Sequence, residues 1–180
     1  MKTAALCFVA SVCLASHVSA GEFKITSSDV VEGQKLNIAQ VLNGFGCEGG
    51  NVSPALSWSG APAGTKSYAV TVYDPDAPTG SGWWHWVAFN IPSSVTSLAA
   101  GASQAGMPEG STQSRTDFGA PGFGGACPPE GHGTHRYQLK VYALNVDKLN
   151  LDENASGAMV GYFLGGHSLG VAEVTGTFER

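Results

Sequence analysis

Lys66 to Ile91 reads KSYAVTVYDPDAPTGSGWWHWVAFNI, two apolar runs rich in β-branched and aromatic residues, joined by a turn rich in proline and glycine. Side chains along a strand alternate between two faces. On that period Tyr68, Val70, Val72 and Asp74 share one face of the first run, and His85, Val87, Phe89 and Ile91 share one face of the second. The first run ends on its carboxylate and the second opens near its histidine. If the runs pair antiparallel, the connection from Pro75 to Trp84 brings Asp74 and His85 to the same sheet edge. A third run, His135 to Leu144, puts His135, Tyr137, Leu139, Val141 and Ala143 on one face. Laid in the same direction as the second, it adds His135 and Tyr137 to that edge. Ionisable residues gathered where core faces open to solvent predict a functional site.

Outward from these runs the chain stays β-rich. Phe23 to Ser27, Ala55 to Trp58 and Val171 to Phe178 read as further strands, with glycines concentrated in the punctuation between them. One helix is expected over Ala155 to Leu164, capped by Asp152 or Asn154 and stopped by Gly165-Gly166, with Met159, Tyr162 and Phe163 as core residues. His167, just beyond it, reads as core or as a C-cap. Gly44 to Pro54 is expected to be a loop. Ser93 to Thr134 has almost no periodicity, which in a compact domain predicts functional loops.

The first twenty residues read as a signal peptide. Met1-Lys2 supplies a positive start, Ala4 to Ser16 is almost uncharged and apolar, and Val18-Ser19-Ala20 precedes Gly21 with residues suited to cleavage. The stretch is shorter than the roughly 20 apolar residues that a membrane-spanning helix needs. Val12 before Cys13 argues against a lipid attachment site. The expectation is a periplasmic or secreted protein with one domain over residues 21–180 and no transmembrane segment. Loss of Lys2 lowers the formal charge of −5 by one. A mildly acidic chain with no basic run argues against nucleic acid and anionic membrane surfaces as partners. Cys47 and Cys127 are the two cysteines outside the leader, and in an exported chain such a pair reads as one disulfide, two free thiols being the alternative.

Chemistry concentrates in two blocks. Tyr73-Asp74-Pro75-Asp76-Ala77-Pro78 holds two aspartates on a backbone stiffened by proline, and Trp83-Trp84-His85-Trp86 returns into the sheet. Gly124 to Tyr137, GGACPPEGHGTHRY, ends in the Gly-x-His-Arg of Gly133 to Arg136. Together, with FGCEGGNVSPALSWSGAP upstream, these blocks resemble the signatures of the phosphatidylethanolamine-binding protein family, also called the Raf kinase inhibitor protein family, in its bacterial branch. The resemblance covers nearly all of Gly21 to Arg180. It implies a large antiparallel sheet packed with a smaller sheet, and few peripheral helices, one near the C-terminus. It also implies a small cavity for phosphate-like and carboxylate anions, phospholipid head groups or phosphorylated side chains. Carried over by position, the implied ligand-binding residues are Asp74, Asp76, Pro78, Trp83, His85, Pro128, Pro129, His135 and Tyr137. The chain departs from the bacterial pattern at Phe123 and Ala126, where tyrosine and proline are expected.

The residues suit an anion. A carboxylate such as Asp74 stabilises the protonated form of a nearby histidine, so His85 or His135 is expected to offer N–H donors near neutral pH, with its pKa raised. Tyr137 would add a hydroxyl, and the backbone of Gly124-Gly125 an anion-binding nest. Arg136, on the opposite strand face from His135, is expected to form a structural ion pair. His85, His132 and His135 with Asp74 are zinc-type ligands, but no i, i+4 or His-x-His spacing supports a site, so neither metal nor other cofactor is expected. The reading is an exported, non-enzymatic binding protein for a small anion, with a regulatory or inhibitory role towards a protein partner. The alternative is a hydrolase of small phospho- or acyl-compounds using an Asp–His pair.

Overall fold

The computed structural model describes residues 22–180. The predicted leader and its cleavage point at Gly21 lie outside the described residues. Ten strands occur in the order β1 (Lys24–Thr26), β2 (Asn43–Gly44), β3 (Cys47–Glu48), β4 (Leu56–Ser59), β5 (Ser67–Asp74), β6 (Trp83–Pro92), β7 (Ser97–Leu98), β8 (Thr112–Gln113), β9 (His135–Leu144) and β10 (Ser168–Phe178). Two α-helices join them, α1 (Ala102–Ala105) and α2 (Gly157–His167). The large sheet has the order β10-β9-β5-β6-β8, and the smaller three-stranded sheet the order β1-β4-β7. Every pair within them is antiparallel. The β-rich fold expected from the sequence is therefore the observed one.

The large sheet is covered on both faces. Tyr68, Val70 and Val72 of β5 and Tyr137, Leu139, Val141 and Ala143 of β9 pack towards the small sheet, meeting Leu56, Trp58 and Leu98. The opposite face meets α2, where Ala69, Val87, Phe89 and Leu144 pack on Val160 and Leu164. Strand alternation accounts for β5 and β9 directly.

On β6 the simple alternation fails. Val87 and Phe89 face α2, whereas Trp86, Ala88 and Ile91 belong to the other core, so His85, Val87, Phe89 and Ile91 do not share a face. Two bulges cause this. Val72 pairs with Trp86 and Tyr73 with Trp84, leaving His85 as an extra residue. Tyr68 pairs with Ile91 and Val70 with Ala88, so Phe89 and Asn90 together face Ala69. Asn90 takes φ +58°, a left-handed conformation that asparagine tolerates, and its side chain bonds both the N–H and the carbonyl of Leu149.

Helix α2 differs from its expected form. Ser156, not Asp152 or Asn154, caps it by accepting from the Met159 N–H at 3.2 Å. Met159 and Tyr162 are exposed, Tyr162 at 79%, so they are not core residues. The buried stripe is instead Gly157, Val160 and Leu164, and a Cβ at Gly157 would collide with the Trp84 indole. His167 closes the last turn and contacts Asn145 Oδ1 at 3.2 Å. The expected loop at Gly44 to Pro54 contains the β3 half of a tight hairpin. The aperiodic segment from Ser93 to Thr134 carries β7, α1 and β8 as short pieces. Among the described residues no helix is long and apolar enough to cross a membrane.

Candidate functional site

The large sheet delivers its polar strand ends to one place. Asp74 closes β5, Trp83 and His85 lie at the start of β6, and His135 and Tyr137 at the start of β9. Because β6 and β9 both run antiparallel to the central β5, their beginnings flank its end. The bulge at His85 turns that ring towards Tyr137, whose ring centroid is 5.1 Å away. Here a cavity of about 210 Å³ opens, lined by Asp74, Pro78, Trp83, His85, Pro128, Pro129, His135 and Tyr137 among the expected residues. Phe45, Ala77, Thr79, Phe118 and Cys127 complete the wall. Nothing in the local sequence marked Phe118, which reaches the site by packing edge-on against Trp83 and His85.

Asp76 does not line the cavity. Its carboxylate turns outward and takes a bidentate grip on Arg136, at 2.9 Å to Nε and 2.7 Å to Nη2, and also accepts the Arg136 backbone N–H. That guanidinium holds the Asp76 carboxyl below its ordinary pKa. The expected structural ion pair of Arg136 thus exists, and it removes Asp76 from the site.

Asp74 and His135 form the buried centre, 3% and 1% exposed. His135 Nδ1 lies 2.7 Å from Asp74 Oδ2, while Asp74 Oδ1 accepts the Asp76 backbone N–H at 2.8 Å. The other ring nitrogen of His135 is also engaged, at 2.7 Å from Nδ1 of the exposed His132.

His85 behaves differently from the expectation. Its Nδ1 donates to the Gly124 carbonyl at 2.8 Å, which leaves Nε2 for the cavity. Burial pushes its pKa below the ordinary histidine value, outweighing the opposing pull of the Gly124 carbonyl and of Asp74. Near neutral pH His85 is therefore a neutral imidazole, with a lone pair rather than a positive charge at Nε2. Tyr137 is pushed far up by burial, and further by Asp74 and Asp76, so it stays a phenol donor.

The expected Gly124-Gly125 nest is not available. Gly124 N–H donates to the His85 carbonyl at 2.9 Å and Gly125 N–H to Asn51 Oδ1 at 2.7 Å. The donors that remain are side chains. Trp83 Nε1 and Tyr137 Oη are buried and have no hydrogen-bond partner within the described chain. Phe123 and Ala126 do not line the main cavity but border a smaller one of about 10 Å³ behind it. Ala126 N–H donates to the Gln40 carbonyl at 3.0 Å, a bond a proline could not make.

The cavity lip is braced. A disulfide joins Cys47 and Cys127, with Cα atoms 6.0 Å apart, tying the β2–β3 hairpin to the proline-rich loop. Phe45, 71% exposed at the hairpin tip, stacks on Phe118 with centroids 5.9 Å apart. Arg180 donates to the carbonyls of Pro128, Gly46 and Phe45, spanning both loops.

Comparison with known proteins places this arrangement among relatives. The sequence profile described as "Phosphatidylethanolamine-binding protein" matches residues 26–179. Two Escherichia coli proteins are similar along most of their length: YbcL at 54% identity, covering 89% of each chain, and YbhB at 51%, covering 87% of this chain and 99% of the other. The crystal structure of YbcL, described as a new member of the mammalian PEBP family, superposes with a TM-score of 0.87 over 89% of this chain and 99% of that one. A phosphatidylethanolamine-binding protein homologue from Chlamydia trachomatis, CT736, is 29% identical, with a TM-score of 0.74 over 88% of this chain and 97% of its own.

Proposed function

The chain belongs to the phosphatidylethanolamine-binding protein family, and on that premise we propose that its cavity binds a small phosphate or carboxylate anion, free or as a phospho-headgroup. The observation that carries this reading is the pair of buried donors, Trp83 Nε1 and Tyr137 Oη, on side chains that line the cavity and find no partner among the described residues. An unpartnered buried donor costs about 1–3 kcal/mol, a cost that a ligand oxygen would relieve. Neutral His85 complements them, because its Nε2 accepts the hydroxyl proton of a partly protonated phosphate. Asp74 faces the same space, favouring ligands that carry an amine or hydroxyl beside the anion.

Binding rather than turnover is the proposed activity. Asp74 orients His135 as it would a general base, but the second His135 nitrogen is engaged by His132. The proposed setting is outside the cytoplasm, supported by the apolar leader and the Cys47–Cys127 disulfide. There the braced lip, with Phe45 exposed, would present the occupied or empty site to a regulated protein partner. Titration calorimetry with inorganic phosphate and with phosphoethanolamine tests the binding claim, and native mass spectrometry of the purified protein identifies what it carries. Absence of heat with either ligand, together with a bare native mass, would sink it.

A further inference from the structure

His132 lies outside the donor set just described, yet its ring decides what His135 can do. His135 is almost wholly buried and held through Nδ1 by Asp74 at 2.7 Å. An ionised carboxylate only accepts, so Nδ1 carries a proton and donates it. Nε2 is then the one His135 nitrogen available to the cavity, and His132 Nδ1 stands 2.7 Å from it. Two ring nitrogens at that distance share one proton, one donating it and the other presenting its lone pair. With both imidazoles protonated, two N–H groups and two positive charges would meet head-on, and the contact cannot persist.

We propose that His132 is a protonation-sensitive cap on His135 that sets the pH range in which the cavity recruits His135 for a phosphate-type anion. The proposal rests on the anion-binding reading above. With the cap closed, His135 Nε2 is engaged and the ligand meets only Trp83, Tyr137 and His85. A first added proton leaves the contact in place, since one charged ring still donates to the other's lone pair. Once both rings are charged the buried one has nowhere to go, and His132 is the partner that moves. It is exposed, on a turn where Gly131 and Gly133 have φ of +70° and +94° and open space around them. His135 Nε2–H is then released to the cavity with the Asp74 carboxylate as its counter-charge.

The surrounding groups permit this. Asp74 at the end of β5 faces the pair, and Asp76 beside it is balanced by Arg136. From β6, His85 is a neutral ring above its lowered pKa, and Tyr137 on β9 remains a phenol. At the turn, Glu130 pairs with Arg180 and Glu179 accepts from Thr134, so each carboxylate already has a partner.

The test is calorimetric titration of inorganic phosphate into wild type and His132→Ala at about pH 7.5 and about pH 5.5, either side of the ordinary histidine value of about 6.5. The two should bind alike at the higher pH, where a neutral His135 presents only a lone pair at Nε2 in either protein. At the lower pH the variant should bind phosphate roughly tenfold more tightly, because a proton on His135 is free for the ligand in the variant but capped in wild type. A variant that differs from wild type by the same factor at both pH values, or not at all, overturns the cap and leaves the binding reading standing. A variant weaker at both would show that His132 is itself a ligand contact, which also overturns it. No phosphate binding by either protein at either pH removes both proposals together.

Discussion

His85 and Gly124 exchange two hydrogen bonds: the ring Nδ1 donates to the Gly124 carbonyl at 2.8 Å, and the Gly124 N–H returns a bond to the His85 carbonyl at 2.9 Å. The exchange sets the tautomer that faces the cavity and fastens the glycine-rich loop to the start of β6. It also takes the loop's amide away from any ligand. The site consequently depends on side-chain donors and on a histidine that is buried neutral.

Stability should carry the mark of that histidine. The folded pKa of His85 is lowered, so between it and the unfolded value of about 6.5 the unfolded chain binds the extra proton. The contribution is fully present above about 6.5 and is lost as pH falls towards the folded pKa. Urea unfolding of wild type and His85→Gln across that window should show the wild type losing stability on acidification more steeply than the variant. Parallel slopes would mean that His85 titrates normally in the fold.

Trp83 and Tyr137 should separate binding from folding. Trp83→Phe and Tyr137→Phe each remove a donor without orphaning an acceptor among the described residues, where neither donor has a partner. Phosphate affinity should fall by roughly two- to tenfold for each, corresponding to about 0.5–1.5 kcal/mol for a neutral hydrogen bond. Thermal stability without ligand should be unchanged or slightly raised for Tyr137→Phe, because a buried unsatisfied hydroxyl is removed. A large drop in melting temperature with unaltered affinity would contradict the assignment.

The two aspartates of the DPDxP turn should respond unequally. Asp74→Asn weakens the buried bond to His135 and should cost about 1–3 kcal/mol of unfolding free energy. Asp76→Asn loosens an ion pair whose arginine is largely solvated, so its effect should be smaller and should shrink further in high salt. Equal losses in denaturant titrations of the two variants would refute the difference in burial.

The Cys47–Cys127 bridge spans 80 residues of sequence, and on the loop-entropy model its removal should cost roughly 3–5 kcal/mol. Cys127 also lines the cavity, so the double Cys→Ala variant should bind phosphate more weakly even at temperatures where it stays folded. Intact mass of the protein should rise by about two daltons on reduction, the two hydrogens added across one disulfide. Two alkylatable thiols in the unreduced protein would exclude the bond.

Much of the architecture is legible in the sequence alone. The period of two in Ser67 to Asp74 and in His135 to Leu144 places Asp74, His135 and Tyr137 on core-facing positions, and the short DPDxP connection demands an antiparallel partner. These are local properties, set by the alternation of side chains along an extended backbone, and the sequence by itself determined them. It also placed Arg136 on the opposite strand face from His135, through the same parity.

What only the tertiary structure decided depends on neighbours far away in the chain. Whether β6 bulges at His85 and Asn90 is settled by register against β5 and by the clasp between Asn90 and Leu149, and parity along β6 alone gave the wrong faces. Whether a buried histidine is charged depends on the balance of desolvation against nearby carboxylates, so His85, ringed by Phe118 and Tyr137, lies below its ordinary pKa despite Asp74. Whether Asp76 serves the cavity depends on where Arg136 can reach, and whether His135 is free depends on a turn that lays His132 against it. Alternation is written residue by residue into an extended chain, whereas charge state, bulge and hydrogen-bond allegiance arise only when distant segments compete for the same atoms.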